Sequence, residues 1–246
     1  MNKPLVSVII PLFNYEQYIK ECVNSIALQS FQDFELIIVD DCSTDNSANI
    51  AEATMDKHGL NGWVIRLDEN LGYSVAKNTG IKKAQGKYIA TLDADDIFTV
   101  KSLEVRVRHL EADPKLDFVH GVAMRWYGGL DTRGYNKKTY VHAQGRMYKR
   151  ELHEKFGLYH AMRSMSDKEF VYRIGVHPDS PLPKLVKELK IGDVVAWYRK
   201  HDENVQMHKK RRLDPVYNAK IKKAFKKRIK QLKKEGITKQ NTEFLK

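Results

Sequence analysis

Two acidic clusters dominate the chemistry this chain can offer: Asp40-Asp41, running on into Cys42-Ser43-Thr44-Asp45, and Asp93-Ala94-Asp95-Asp96. Three carboxylates within four residues are natural ligands for a hard divalent cation, Mn²⁺ or Mg²⁺, and such a cation neutralises the charge that grows on a departing diphosphate. Each cluster alone is ambiguous. Acids are equally favoured as helix caps and in solvated turns. The conjunction is more specific, because each cluster follows a short apolar run, Phe34 to Val39 and Tyr88 to Leu92, while a third run, Leu5 to Ile10, leads into Pro11-Leu12-Phe13-Asn14.

The elements that must position these acids follow from periodicity. Leu5 to Ile10, Phe34 to Val39, Trp63 to Leu67 and Tyr88 to Leu92 have the composition of strands buried on both faces. Between them, Glu16 to Gln29 (with Ile19, Val23 and Ile26 on one stripe), Ile50 to His58 and Val75 to Ala84 carry helical patterns. Strict alternation over short loops predicts right-handed βαβ units: an α/β, Rossmann-like, mostly parallel open sheet with helices on both faces. Ligands of such sheets sit beyond the carboxyl ends of the strands, where both acidic clusters fall. After residue 100 the pattern loosens. A helix through Leu103, Val107 and Leu110, a strand from Phe118 to Met124, helices near 150–156 and 168–174 and a strand at 194–198 are expected, with loops at 127–145 and 178–183.

Composition bounds the rest. The 246 residues suffice for one substantial domain and a tail, and 42% hydrophobic with 30% charged residues describes a folded chain. Two cysteines, Cys22 and Cys42, give neither a disulfide framework nor a zinc cluster, which points to a reducing, cytoplasmic setting. No run approaches the roughly 20 apolar residues of a spanning helix, and no leader pattern opens the chain. The net charge of +12 is local. Residues 209–234 hold 13 Lys or Arg and one acid, Asp214, leaving 30 charges of each sign elsewhere. Within that tail 215–235 reads as a basic amphipathic helix with Ile221, Phe225, Ile229 and Leu232 on one stripe. Docking of that stripe on the domain, an anionic membrane surface and, less well supported for want of stacking aromatics, nucleic acid are its readings.

Five ordered motifs, Val8-Ile9-Ile10-Pro11-Leu12-Phe13-Asn14, Ile38-Val39-Asp40-Asp41-Cys42-Ser43-Thr44-Asp45, Asn70-Leu71-Gly72, Asn78-Thr79-Gly80 and Leu92-Asp93-Ala94-Asp95-Asp96, resemble those of the inverting family 2 glycosyltransferases, which have the GT-A fold. The resemblance covers roughly the first 125 residues. It implies transfer of a sugar from a nucleotide-sugar donor, UDP-linked in the first instance, to an acceptor hydroxyl of a glycan, a lipid-linked sugar or another molecule, as in polysaccharide biosynthesis. Pro11 and Phe13 would flank the nucleobase, and Asp40 and Asp41 would accept hydrogen bonds from base and ribose. Asp93 would lie near the ribose, and Asp95, with Asp96 as second candidate, would ligate Mn²⁺ or Mg²⁺. Residues 1–100 would form the donor-binding half, 101–208 the acceptor-binding half of the same domain, and 209–246 the basic tail.

Inversion requires a base for the acceptor hydroxyl. Ser166-Asp167-Lys168-Glu169 resembles the family segment in which an acid opens a helix, so Asp167 is the implied base, with Glu169 in reserve; capping of that helix is the other reading and is compatible with it. Tyr198-Arg199-Lys200-His201 resembles a late element in which Arg199 would reach the phosphates and His201 the metal. Gly145-Arg146 would border the acceptor. Lys77 stands where the family commonly shows Arg, so its phosphate contact would be monodentate, and Cys42 occupies a position that is often Gly. A nucleotidyltransferase is the rival enzyme, although the loop Pro11-Leu12-Phe13-Asn14-Tyr15 lacks the glycines it needs. A non-catalytic nucleotide-sugar binding module is the rival from another class.

Overall fold

The computed structural model describes residues 3–126, 138–139, 145–160, 166–176, 184–199 and 201, together with five lysines of the tail at 223, 226, 227, 230 and 234. Alternation holds through the first third: β1 (Val6–Leu12), α1 (Ile19–Ala27), β2 (Phe34–Asp40), α2 (Ser47–Lys57), β3 (Gly62–Arg66), α3 (Tyr73–Lys83) and β4 (Tyr88–Thr91). These strands are parallel in the order β3-β2-β1-β4. Every residue of β1, β2 and β4 is buried. Helices cover both faces, which is why these strands read as unbroken apolar runs.

Pro11 does not close β1, as the sequence suggested; it lies inside it, opposite Val39. Alternate residues of a parallel strand bond alternate neighbours. Ile9 accepts from Leu92 on the β4 side, and Leu12 accepts from Asp41 on the β2 side. The absent N–H of Pro11 therefore falls on the β4 side, past the last β1–β4 partners Ile9 and Thr91, where no ladder bond is lost.

Beyond β4 the pairing changes character. The remaining elements are β5 (Ile97–Phe98), α4 (Ser102–Ala112), β6 (Phe118–Trp126), β7 (Lys138–Thr139), β8 (Arg146–Lys149), α5 (Glu151–Phe156), α6 (Ser166–Arg173) and β9 (Glu188–Arg199). β8 runs antiparallel beside β4, β6 antiparallel beside β8, β9 parallel to β6, and β5 antiparallel to β9 at the far edge. A single sheet thus runs from β3 to β5, parallel in its first half and mixed in its second. The sequence placed a loop over 127–145 and a strand only at 194–198. The structure adds β7 and β8 and starts the last strand at Glu188. The loop at 178–183 lies outside the described residues, as does most of the 215–235 helix with its apolar stripe. The five described tail lysines are helical and exposed.

Two apolar layers hold the helices. One joins Val8, Ile10, Leu36 and Ile38 to α1, α2 and α4; the other joins Ile9, Ile37, Val39 and Ile89 to α3, α5 and α6. Each fully buried aliphatic side chain contributes about 1.5–3 kcal/mol. Gly80 lets α3 lie close against the sheet, since a Cβ there would stand 2.6 Å from Cγ2 of Ile9.

Candidate active site

The carboxyl ends of β1 and β2 carry Pro11, Phe13, Asp40 and Asp41. Pro11 is buried in the strand, whereas Phe13, just beyond it, is 41% exposed. The loops that follow are stitched together: Asn14 N–H donates to Ser43 Oγ (2.9 Å), Thr44 N–H to Asn14 Oδ1 (2.8 Å), and Tyr15 N–H to Ser47 Oγ (2.7 Å). This stitching holds Asn14 (φ 53°) and Cys42 (φ 63°) in left-handed backbone, a conformation costing of order 1 kcal/mol or more outside glycine. Buried Asp41 accepts from Leu71 N–H at Oδ1 and Gly72 N–H at Oδ2, both 2.8 Å. It thereby clamps the Asn70-Leu71-Gly72 turn at the start of α3, where Gly72 (φ 92°) supplies a conformation other residues resist. Asp40 accepts from Ser43 N–H through Oδ2 (3.3 Å), and its buried Oδ1 has no hydrogen-bond partner among the described residues.

At the end of β4, Asp93, Asp95 and Asp96 each offer a carboxylate oxygen within 4.8 Å of the other two. Such crowding favours protonation. Burial, then Asp95, pushes Asp93 up to about 6, and burial, then Asp95 and Asp93, pushes Asp96 well above the ordinary carboxylate range. The C-terminal end of β9 returns here because β9 pairs with β5. Arg199 N–H donates to Asp96 Oδ1 (2.8 Å), and Arg199 Nε donates to the Asp95 carbonyl (2.8 Å). Its Nη2 pairs with Glu21 of α1, and the guanidinium lies 5.0 Å from the Tyr18 ring centre. His201 Nε2 is 3.0 Å from Asp95 Oδ2, with its ring against Tyr18 at 4.7 Å. Cys22 sits behind the cluster, its thiol 3.6 Å from the Asp93 carbonyl and pushed up by burial.

A second carboxylate approaches from the other half. Asp167, in the first turn of α6, accepts from Lys77 Nζ at 2.5 Å; its side chain is 26% exposed and that of Lys77 is fully buried. Lys77 Nζ also lies 3.5 Å from the Tyr73 hydroxyl, which donates to Asp93 Oδ1 at 2.8 Å. An unbroken series of contacts, Asp93, Tyr73, Lys77, Asp167, therefore joins the cluster to α6. Glu169 has a different office: with no exposed surface, it pairs with Arg173 through both oxygens (3.1 and 2.8 Å), and Arg173 in turn donates to the Phe156 and Leu158 carbonyls. This geometry removes Glu169 as a reserve base.

The structure thus brings together Asp93, Asp95, Asp96, Arg199 and His201 in one place, and Lys77 and Asp167 in contact beside it. Tyr73, Glu21 and Tyr159, which line these contacts, were not singled out from sequence. Tyr73 was findable, since it stands one helical turn before Lys77 and so shares its face. Arg146, expected to border the acceptor, is buried in β8, where its carbonyl accepts from buried Arg106 (3.0 Å). The Asp93-Asp95-Asp96 donor set fits a hard divalent cation on its own chemistry: all-oxygen ligands, crowded like charges, and a buried Asp96 Oδ2 with no hydrogen-bond partner among the described residues.

Comparison with known proteins gives the same reading. Residues 7–172 match the family described as glycosyl transferase family 2. The putative teichuronic acid biosynthesis glycosyltransferase TuaG of Bacillus subtilis (strain 168) is 43% identical over 108 residues, covering 44% of this chain and 42% of its own length. The poly(ribitol-phosphate) beta-N-acetylglucosaminyltransferase TarS of Staphylococcus aureus (strain Mu50 / ATCC 700699) is 40% identical over 101 residues, 40% of this chain and 17% of its own. The first of these matches spans less than half of the relative. Among solved structures, S. aureus TarS 1-349 in complex with UDP superposes with TM-score 0.60 at 22% identity, over 82% of this chain and 62% of that one. The mannosyltransferase PcManGT from Pyrobaculum calidifontis, in complex with GDP-Man and Mn2+, gives 0.67 at 22% identity over 86% and 61%. At that identity these two establish the GT-A fold, and the family match, running from β1 into α6, establishes the kinship: this chain belongs to glycosyl transferase family 2.

Proposed function

We propose that the protein transfers a sugar from a nucleotide-sugar donor, with UDP as the nucleotide, to an acceptor hydroxyl with inversion, using a divalent cation and Asp167 as general base. The observation that carries this reading is the contact series from Asp93 through Tyr73 and Lys77 to Asp167, which sets a carboxylate able to take a proton beside a carboxylate cluster able to hold a cation. The solved relatives bound to UDP and to GDP-Man with Mn2+ support a nucleotide-sugar donor.

In this reading Phe13, exposed past the end of β1, stacks against the base with Pro11 backing it from within the strand, while Asp40 Oδ1 and the remaining lone pairs of Asp41 accept from base and ribose. The clamp of Asp41 on Leu71 and Gly72 then sets the depth of that site. Asp95 and His201, with Asp96 as second candidate, would hold Mn²⁺ or Mg²⁺, which would neutralise charge on the diphosphate leaving group, and Asp93 would lie near the ribose. Arg199 fixes Asp95 and Asp96 through its backbone and Nε, and adds positive charge beside the phosphates. Asp167, ionised against Lys77, accepts the proton of the acceptor hydroxyl as it attacks from the face opposite the diphosphate. The acceptor is a glycan, a lipid-linked sugar or a comparable alcohol. Lys223, Lys226, Lys227, Lys230 and Lys234, exposed at helical spacing, support seating of the tail on an anionic membrane surface; sedimentation with phosphatidylglycerol vesicles that persists after deletion of 209–246 would remove that part.

The deciding experiment is calorimetry with UDP. Binding is expected in Mn²⁺ and lost on chelation, and Asp95→Ala should weaken it about 100-fold while the protein stays folded. Metal-independent UDP binding, or an unchanged affinity in Asp95→Ala, would overturn the metal assignment. Tight binding with no transfer or hydrolysis of any nucleotide sugar would favour the binding module.

A further inference from the structure

We propose that Lys77 is a positioning residue for Asp167 and not a ligand of the donor phosphates, an assignment that rests on reading Asp167 as the base. The surroundings of the ammonium carry this inference. Lys77 has no exposed surface, its Nζ donates to Asp167 Oδ1 at 2.5 Å, and it lies 4.4 Å from the Tyr159 ring centre and 5.3 Å from that of Tyr73. Aromatic faces on two sides favour a cation while excluding water. A buried ammonium is costly unless matched, and here the matching charge is Asp167. With no exposed surface, and with Asp167 and two tyrosine rings around it, the ammonium offers a diphosphate no open face.

The contact also spans the molecule's two kinds of architecture. Lys77 belongs to α3, packed between the parallel strands and α6, whereas Asp167 belongs to a helix whose other end is fixed by Glu169 and Arg173 to the carbonyls of residues 156 and 158. Lys77 therefore fixes the first turn of α6 against α3, and through Tyr73 it sets that turn relative to Asp93. The side chain places the base; it does not touch the donor.

The test uses the full chain with Lys77→Met, Lys77→Arg, Asp167→Ala and the Met/Ala double variant. Three quantities are read: UDP affinity in Mn²⁺, amide hydrogen exchange of residues 166–173, and turnover of UDP-GlcNAc as the trial donor. Lys77→Met is expected to leave the UDP Kd within about threefold and to raise exchange in α6 at least tenfold. Asp167→Ala should raise it as much, and the double variant no further, because one contact is lost in all three. In turnover, kcat should fall at least 100-fold with KM within threefold, and Lys77→Arg should recover part of kcat through a fork that still pairs with the carboxylate. A UDP affinity lowered tenfold or more in Lys77→Met with unchanged exchange in α6, or additive effects of the two substitutions, would overturn the proposal. If Lys77→Met fails to fold, Lys77→Arg and Asp167→Ala decide through the same exchange and affinity readings. Absence of UDP binding by the wild type would strike the donor reading alone, since the exchange comparison still decides the role of Lys77.

Discussion

The parallel half of the sheet and its mixed half hold their carboxylates in different ways. In β1 to β4 each strand is joined to the next in sequence by one helix, and the backbone itself delivers the acids: Asp40 ends the β1–β2 ladder, Asp41 lies one residue past it, and Asp93 two residues past the β1–β4 ladder. In the second half, β9 must find β6 from a separation of about 70 residues and then lie against β5, roughly 100 residues away, before Arg199 and His201 can reach Asp95. Asp167 is attached through side chains. The proposed donor end is thus built by topology, and the proposed base end by contacts between side chains that a single substitution can remove.

The sharpest way to separate the two is Asp167→Asn. The amide still accepts from Lys77 but no longer matches its charge, so some stability should be lost, yet UDP affinity of the folded protein should stay within about threefold while transfer falls about 1,000-fold, near 4 kcal/mol, as for loss of a general base. Paired calorimetry and turnover measure it. Equal losses in binding and turnover would show that the halves are not separable and that Asp167 mainly supports the site.

Arg173→Met is expected to break the second half by about 3 kcal/mol, read from the urea midpoint, because it removes the guanidinium that pairs with both oxygens of buried Glu169. Replacing Glu169 with Met as well should recover much of the loss. If the double variant is no more stable than Arg173→Met, the bonds to the Phe156 and Leu158 carbonyls, and not the ion pair, carry the stability.

What the sequence disclosed follows the same division. β1, β2 and β4 were legible because burial on both faces writes an unbroken apolar run, and the acids were legible because they follow such runs. β8 was not, since Arg146-Met147-Tyr148-Lys149 reads as polar although three of its four residues are buried. The beginning of β9 was hidden likewise, with Glu188, Lys190 and Asp193 masking a strand that ends in Val194 to Tyr198. In the site, the residue types announced a carboxylate cluster, but not that Asp41 would clamp Leu71 and Gly72. Nor did they announce that Lys77 would be sealed between two tyrosines. Those facts depend on which loops meet, and single-chain periodicity carries no record of that.

A smaller effect probes the first half. Gly80→Ala gains about 1 kcal/mol of helix propensity but forces a Cβ to 2.6 Å from Ile9 and 3.4 Å from Val39. The net cost should be about 2 kcal/mol, with faster exchange in α3. Combined with Ile9→Ala the costs should not add, since the truncated side chain makes room. Additive costs would mean that α3 moves away as a unit.

The smallest effect is a pH response of the second half. His153 is buried against Phe170 (4.7 Å), with Nδ1 3.1 Å from the Gly157 carbonyl and Nε2 3.0 Å from the Tyr148 hydroxyl. These partners assign a neutral ring, Nδ1–H donating to the carbonyl and Nε2 accepting from the tyrosine. Burial, reinforced by Arg173 and Lys77, lowers the pKa to about 3. The unfolded chain takes up this proton near pH 6.5 and the folded one only near 3, so stability is intact above 6.5 and falls as the pH drops through that window. Between pH 7 and 5.5 the loss from this group is about 1 kcal/mol. His120, also lowered by burial, adds a loss of the same sign. Urea midpoints of wild type and His153→Gln at the two pH values measure it: the variant should start less stable and show a flatter dependence. Equal slopes would mean that the ring takes up its proton at the same pH in the folded protein as in the unfolded chain, and that its burial as a neutral ring is wrong.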